Sequence, residues 1–185
     1  MMRELADNIL DIAQNSISAG ASLVEIDIEV NHERDTVAFV FRDNGCGMSE
    51  EMVRTVAEPF TTTRRTRKVG LGLPLLKQTA MMTGGDFEIT SQPDVGTTVS
   101  VSFGLSNIDR PPMGDVSGAL FTLVLLNPQI DFLFVYDYDG KNFTFDTRVI
   151  RETVDPIPLD NPEISAWIKD CLYQEITELH GGMFS

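Results

Sequence analysis

Asp43-Asn44-Gly45-Cys46-Gly47-Met48, read with Val69-Gly70-Leu71-Gly72-Leu73, decides the reading of this chain. Taken alone, the first stretch is a turn at a strand end, since Asp, Asn and Gly are the usual turn residues. The second, taken alone, is a glycine-rich entry to a helix. Their weight comes from order. Asp11-Ile12-Ala13-Gln14-Asn15 lies upstream on a helix, and Gly96-Thr97-Thr98 lies downstream at the start of a strand.

Upstream, Leu5, Ile9, Ile12, Ala13 and Ile17 recur every three or four residues, which predicts an amphipathic helix over 2–19 stopped at Gly20. Asp11 and Asn15 are four apart and share one face. Asn15 offers a neutral oxygen suited to a hard ion such as Mg²⁺. Asp11 could orient or deprotonate a water aimed at a phosphate. The plain alternative is a solvated helix face. Glu4 and Asn8 repeat the spacing one heptad earlier, farther from any site at the helix end. Residues 22–30 alternate apolar and acidic, which predicts a half-buried strand. Residues 36–42 predict a second strand, apolar enough to be buried on both faces. His32, in the turn between them, reads as a surface loop residue.

Asp43 ends that strand. A carboxylate fixed there could accept a hydrogen bond from the exocyclic amino group of adenine. Gly45 and Gly47 let the backbone turn and a flat ligand approach, and Cys46 and Met48 would supply soft wall. Ser49 caps a short helix, which ends at Glu58-Pro59-Phe60-Thr61-Thr62-Thr63. Arg64-Arg65-Thr66-Arg67-Lys68 follows, a candidate lid over phosphates or a solvated loop. Gly70-Leu71-Gly72-Leu73 precedes a helix predicted over Pro74 to Thr83 and closed by Gly84-Gly85, and the free N–H groups at its start could hold an anion. Lys77 within it reads as a surface lysine. Residues 86–91 and 97–103 are two more strands. Thr97 or Thr98 would face Asp43 if their strands are neighbours.

Beyond residue 106 the composition changes. Asn107 to Gly114 reads as a linker, and Gly118 to Leu126 as an apolar strand or short helix. Phe132–Tyr138 and Asn142–Thr147 predict a hairpin around Asp139-Gly140. Pro162 to Leu179 predicts a helix capped by Asn161, with Ile164, Trp167, Ile168, Cys171, Leu172 and Ile176 on its inner face. Asp131, Asp137, Asp139 and Asp146 fit strand alternation and loop edges better than a Ca²⁺ site. The expected division is 1–109 and 110–185, with the second part covering an edge or face of the first.

The 185 residues carry a formal net charge of −14, acidic in both parts, which argues against nucleic acid or an anionic membrane as the main partner. Two distant cysteines, Cys46 and Cys171, predict reduced thiols. No apolar run is long enough to span a membrane, and Asp7 and Asp11 stand where a signal peptide would be apolar. These features predict a cytoplasmic protein.

Asp11 with Asn15, Asp43-x-Gly45-x-Gly47, Phe60-Thr-Thr-Thr, Gly70-Leu-Gly-Leu and Gly96-Thr-Thr together resemble the ordered boxes of the GHKL superfamily, which includes gyrase B, the ninety-kilodalton heat-shock chaperones, histidine kinases and MutL. The likeness is greatest to the ATP-binding domain of bacterial histidine kinases and covers about residues 4–104. It implies the Bergerat fold, an α+β two-layer sandwich in which a mixed sheet carries helices on one face. Here a small C-terminal β-hairpin and helix extension would be added. By the same resemblance ATP is the ligand. Asn15 binds Mg²⁺, Asp43 reads adenine, and Gly45, Gly47, Met48, Phe60, Thr62, Gly70, Leu71, Gly72, Leu73 and Thr97 shape the nucleotide site. Asp11 stands where the family places its water-activating acid, often Glu and one methylene longer. The only histidines are His32 and His180, so no phosphoacceptor-histidine domain is expected. The expectation is a stand-alone regulator acting on a partner protein, by transferring phosphate to it as the phosphoacceptor or through an ATP-dependent switch. The alternative is a non-catalytic nucleotide-binding or structural module. A dimer is compatible with either.

Overall fold

The computed structural model describes residues 4–56 and 72–181. Its centre is one six-stranded sheet in the order β3-β4-β2-β1-β5-β6. The strands are β1 (Leu23–Asn31), β2 (Thr36–Asp43), β3 (Phe87–Gln92), β4 (Gly96–Gly104), β5 (Asp131–Tyr138) and β6 (Lys141–Asp146). Neighbours are antiparallel except β1 and β5, which run parallel. Residues beyond 110 therefore extend the same sheet, and β5 occupies the edge that β1 would otherwise expose.

The helices are α1 (Leu5–Ser18), α2 (Glu50–Val56), α3 (Gly72–Met82), α4 (Val116–Leu126), α5 (Thr147–Val154) and α6 (Pro162–Leu179). Packing is one-sided. Val24, Ile26 and Ile28 of β1, Val37, Phe39 and Phe41 of β2, and Phe132, Phe134 and Tyr136 of β5 are all buried. Over them lie α3 against β4, α1 against β1 and β2, α4 beside α1, and α6 beside α4 and over β6. The result is the expected two-layer α+β sandwich.

This one-sidedness corrects the reading of β2 as buried on both faces. Its alternate residues Thr36, Ala38 and Val40 are only half-buried, and Arg42 is exposed and ion-paired with Asp27 at 2.5 Å. Among the described residues no helix packs on that face of β2, so its residues meet water and ion pairs. The same geometry corrects Trp167, which is 53% exposed while Ile168 is 1% exposed. At about 100° per residue, Ile168, Leu172 and Ile176 define the inner stripe of α6 and turn Trp167 off it.

The apolar run 118–126 is helical. Asp115 caps α4 by accepting from the Gly118 N–H at 2.8 Å. Nearly all of α4 is apolar because it is wedged between α1 and α6. The hairpin β5–β6 ends in α5, a helix not foreseen from the sequence. Asp146 caps it by accepting from the Arg148 N–H, and the buried Thr147 hydroxyl oxygen accepts from the Phe132 N–H at 2.8 Å. The 107–114 segment is a fastened strap. Pro112 and Met113 carbonyls accept from Leu5 and Ala6 N–H, completing the first turn of α1, where the Glu4 side chain caps nothing.

His32 lies in an exposed turn, as expected, but is anchored. Its backbone N–H and ring Nδ1 each reach the Asp139 carboxylate at 2.8 Å. These contacts, the backbone one first, hold the Asp139 carboxyl below the usual carboxylate range. The four aspartates of this region are engaged separately, with Arg151, the Gly140 N–H, His32 and Arg148. Among the described residues no three acidic, His or Cys side chains gather as a metal cluster. Both described cysteines are free thiols.

Candidate functional site

The turn after β2 is fastened on three sides. Asn44 Oδ1 accepts from the Ser22 and Leu23 N–H at 2.9 and 3.0 Å, tying the turn to the start of β1. The Cys46 N–H donates to Ala19 O at 2.9 Å, and the Asp94 N–H donates to Cys46 O at 2.8 Å. The Met48 N–H donates to Ser91 Oγ at 2.8 Å. The glycines make this closeness possible. A Cβ on Gly47, whose φ is +63°, would stand 2.0 Å from the Gln92 carbonyl oxygen. A Cβ on Gly96 would stand 1.8 Å from the Asp43 carbonyl oxygen. The space at Gly45 is taken by Ala19. The glycines thus let backbone approach backbone, which is the sharp turn expected of them, and Gly47 also lines the cleft described next.

Asp43 stands at the end of β2, opposite Thr97 of β4. Its Oδ2 accepts from the Ser16 hydroxyl at 2.7 Å and its Oδ1 from the Gly45 N–H at 2.9 Å. Two fixed donors leave the carboxylate with lone pairs to offer in one direction. Asp43 lines a cleft of about 270 Å³ between α1, the turn, α2, α3 and the β3–β4 pair. Ile12, Met48, Leu73, Ile89 and Val99 give it apolar walls. Asn15 and Thr97 also line it, with the Thr97 hydroxyl 2.9 Å from Ser91 Oγ.

The cleft thus gathers Asn15, Asp43, Gly47, Met48, Leu73 and Thr97 of the expected residues. Gly45 is buried in the turn behind it, and Gly72 begins α3 at its margin. Asp11 is exposed on α1 and is not part of the cleft wall. Phe60, Thr62, Gly70 and Leu71, with the basic 64–68 stretch, lie outside the described residues. Ser16 escaped the sequence reading, although its position signals it. It continues the Leu5, Ile9, Ile12 stripe and is a polar residue where an apolar one would be expected. Ile89 and Val99 were read only as strand residues.

Residues 1–107 match the family model described as histidine kinase-, DNA gyrase B-, and HSP90-like ATPase. The chain belongs to this ATPase family, and its sheet and helices are those of the GHKL, or Bergerat, fold. Similar curated proteins include the virulence sensor protein BvgS of Bordetella bronchiseptica, 26% identical over 146 residues, which are 76% of this chain and 12% of that protein. Another is the histidine protein kinase SaeS of Staphylococcus aureus, 27% identical over 106 residues, which are 55% of this chain and 30% of that protein. The matched region therefore spans less than a third of either relative. Among solved structures, the ATPase domain of Aquifex aeolicus MutL complexed with ADP superposes with a TM-score of 0.51 at 18% identity. It covers 79% of this chain and 64% of that one. The N-terminal domain of a DNA repair protein gives 0.52 at 19% identity, covering 77% and 52%. At these identities the likeness is one of fold.

Proposed function

We propose that the cleft binds ATP, with Asp43 accepting from the adenine amino group. The carrying observation is the Asp43 carboxylate, oriented by Ser16 and the Gly45 N–H at the floor of an apolar slot. A single fixed acceptor between apolar walls suits a flat base with one exocyclic donor. The adenine stacks between Met48 and the β3–β4 side, and the phosphates extend past Asn15 toward the start of α3. Asn15 contributes a neutral oxygen to Mg²⁺, which keeps its remaining coordination for water and phosphate. Bound Mg²⁺ would neutralise phosphate charge. Gly72 and Leu73 belong to the phosphate side, and the family resemblance assigns Gly70, Leu71, Phe60 and Thr62, which lie outside the described residues, to nucleotide binding as well.

The protein then acts as a regulatory component on a partner protein in the cytoplasm, by phosphotransfer or by an ATP-dependent switch. Residues 1–109 form the nucleotide unit and 110–185 its extension. One observation favours a second reading, a nucleotide binder without turnover. Asp11, the proposed water-activating acid, is exposed and stands outside the cleft wall.

Calorimetric titration with ATP and Mg²⁺ tests the first reading. Asp43→Ala should abolish binding, and Asn15→Ala should remove its Mg²⁺ dependence. Inosine triphosphate, whose base lacks the amino group, should bind about a hundredfold or more weaker. Equal affinity for the two nucleotides would overturn the role of Asp43. Phosphate release lost in Asp11→Ala separates an ATPase from a binder, which shows none.

A further inference from the structure

A larger cavity, about 750 Å³, lies at the other end of the sheet, and no residue lines both it and the cleft. Val30 and His32 enter it from the end of β1, and Tyr136 and Tyr138 from the end of β5. Its opposite wall is the strap from residue 110 on together with the start of α4, and α6 closes one side. One wall is a continuous row of rings. His32 stands 5.4 Å from Tyr138, Tyr138 stands 4.5 Å from His180, and His180 stands 5.5 Å from Tyr136. The Tyr136 hydroxyl meets His180 Nε2 at 2.8 Å, which fixes the inner end of the row.

Two opposite charges line this cavity without a charged partner among the described residues. Arg110 is half-buried, donating from Nε to Leu105 O and from Nη1 to Pro111 O, both at 2.9 Å. No carboxylate among the described residues pairs with it. Glu4 is half-buried with its side chain against Gly114, and its carboxylate has no hydrogen bond or ion pair with a described residue. The third charge, Asp115, is used by the α4 cap. Charges of both signs with no described ionic partner, set beside a row of rings, suit a ligand that carries both charges and an apolar body. The volume is that of a small-molecule site.

We propose that this cavity binds a free aromatic amino acid as its zwitterion. The carboxylate sits on Arg110, through the guanidinium nitrogen not spent on the backbone. The ammonium sits on Glu4, and the ring packs along His180 and Tyr138, which Tyr136 backs from the core. An aromatic acid or an aromatic amine alone would satisfy only one of the two charges and leave the other desolvated.

Calorimetry on the full chain tests this with L-phenylalanine, L-tyrosine, phenylacetate and phenethylamine. One or both amino acids should bind, with the two single-charge analogues at least about tenfold weaker. Glu4→Gln, which keeps the shape of the side chain, and Arg110→Gln should each weaken amino-acid binding at least about tenfold. Arg110 also holds two backbone carbonyls, so Glu4→Gln carries the test if Arg110→Gln unfolds. Absence of amino-acid binding at about 1 mM would overturn the proposal. So would equal binding of the single-charge analogues, or binding indifferent to Glu4→Gln. None of these outcomes depends on ATP.

Discussion

Ser16 shows how much one hydroxyl can decide. It is buried on α1, it donates to Asp43, and it links the helix to the end of β2. A hydrogen bond to a charged group is worth about 1.5–3 kcal/mol. Ser16→Ala should therefore weaken ATP about tenfold or more while leaving the fold intact, measured by titration beside a thermal melt. A second residue, His180, predicts a pH response. Burial holds its imidazole below the ordinary 6.5. As pH falls below about 6.5 the unfolded chain takes up a proton that the folded chain resists, so stability is lost on acidification. The loss levels off once pH passes below the folded-state value. His180→Gln should flatten this part of the profile, read as urea midpoints between about pH 7 and pH 5.

Among the elements, the turn after β2 is the least tolerant of change. Gly47→Ala would force a Cβ onto the Gln92 carbonyl and strain a left-handed backbone, so it should cost more than about 1 kcal/mol of stability as well as nucleotide binding. Chemical denaturation distinguishes this from a purely local effect on binding. The elements also show what the sequence makes legible. The stripe of α1, the alternation in β1 and the caps at Ser49 and Asn161 are local signals, and the structure places those elements where they were expected. What stayed hidden depends on packing. The one-sided burial of β2, the outward turn of Trp167 and the identity of α4 depend on which face other helices cover. The formation of α5 depends on Asp146 and Thr147 meeting partners at the hairpin. In the cleft, motif residues were legible because their types carry chemistry. Ser16, Ile89 and Val99 were not, because their contribution comes from the residues they face.

At the scale of the whole molecule, the sheet couples the family-matched region to the rest of the chain. Phe134 is buried on β5, next to β1. Phe134→Ala should cost about 3–5 kcal/mol, seen as a lower denaturation midpoint. Deleting residues 110–185 would bare both the β1 edge and the apolar face of α1 that meets α4. The expected result is aggregation of the 1–109 fragment, checked by light scattering. A soluble monomer would instead show that α4 and β5 are dispensable. The parallel pairing of β1 with β5 also sets a timetable. The contact between His32 and Asp139 joins residues 107 positions apart. At roughly 5–20 residues per second, β1 leaves the ribosome on the order of 5–20 s before its neighbour exists. During that interval the acidic β1–β2 hairpin and α1 wait half-covered. The net negative charge of that hairpin, with Glu25, Asp27 and Glu29 on the face of β1 turned from the core, would then slow, though not prevent, association of nascent chains in the seconds before β5 arrives.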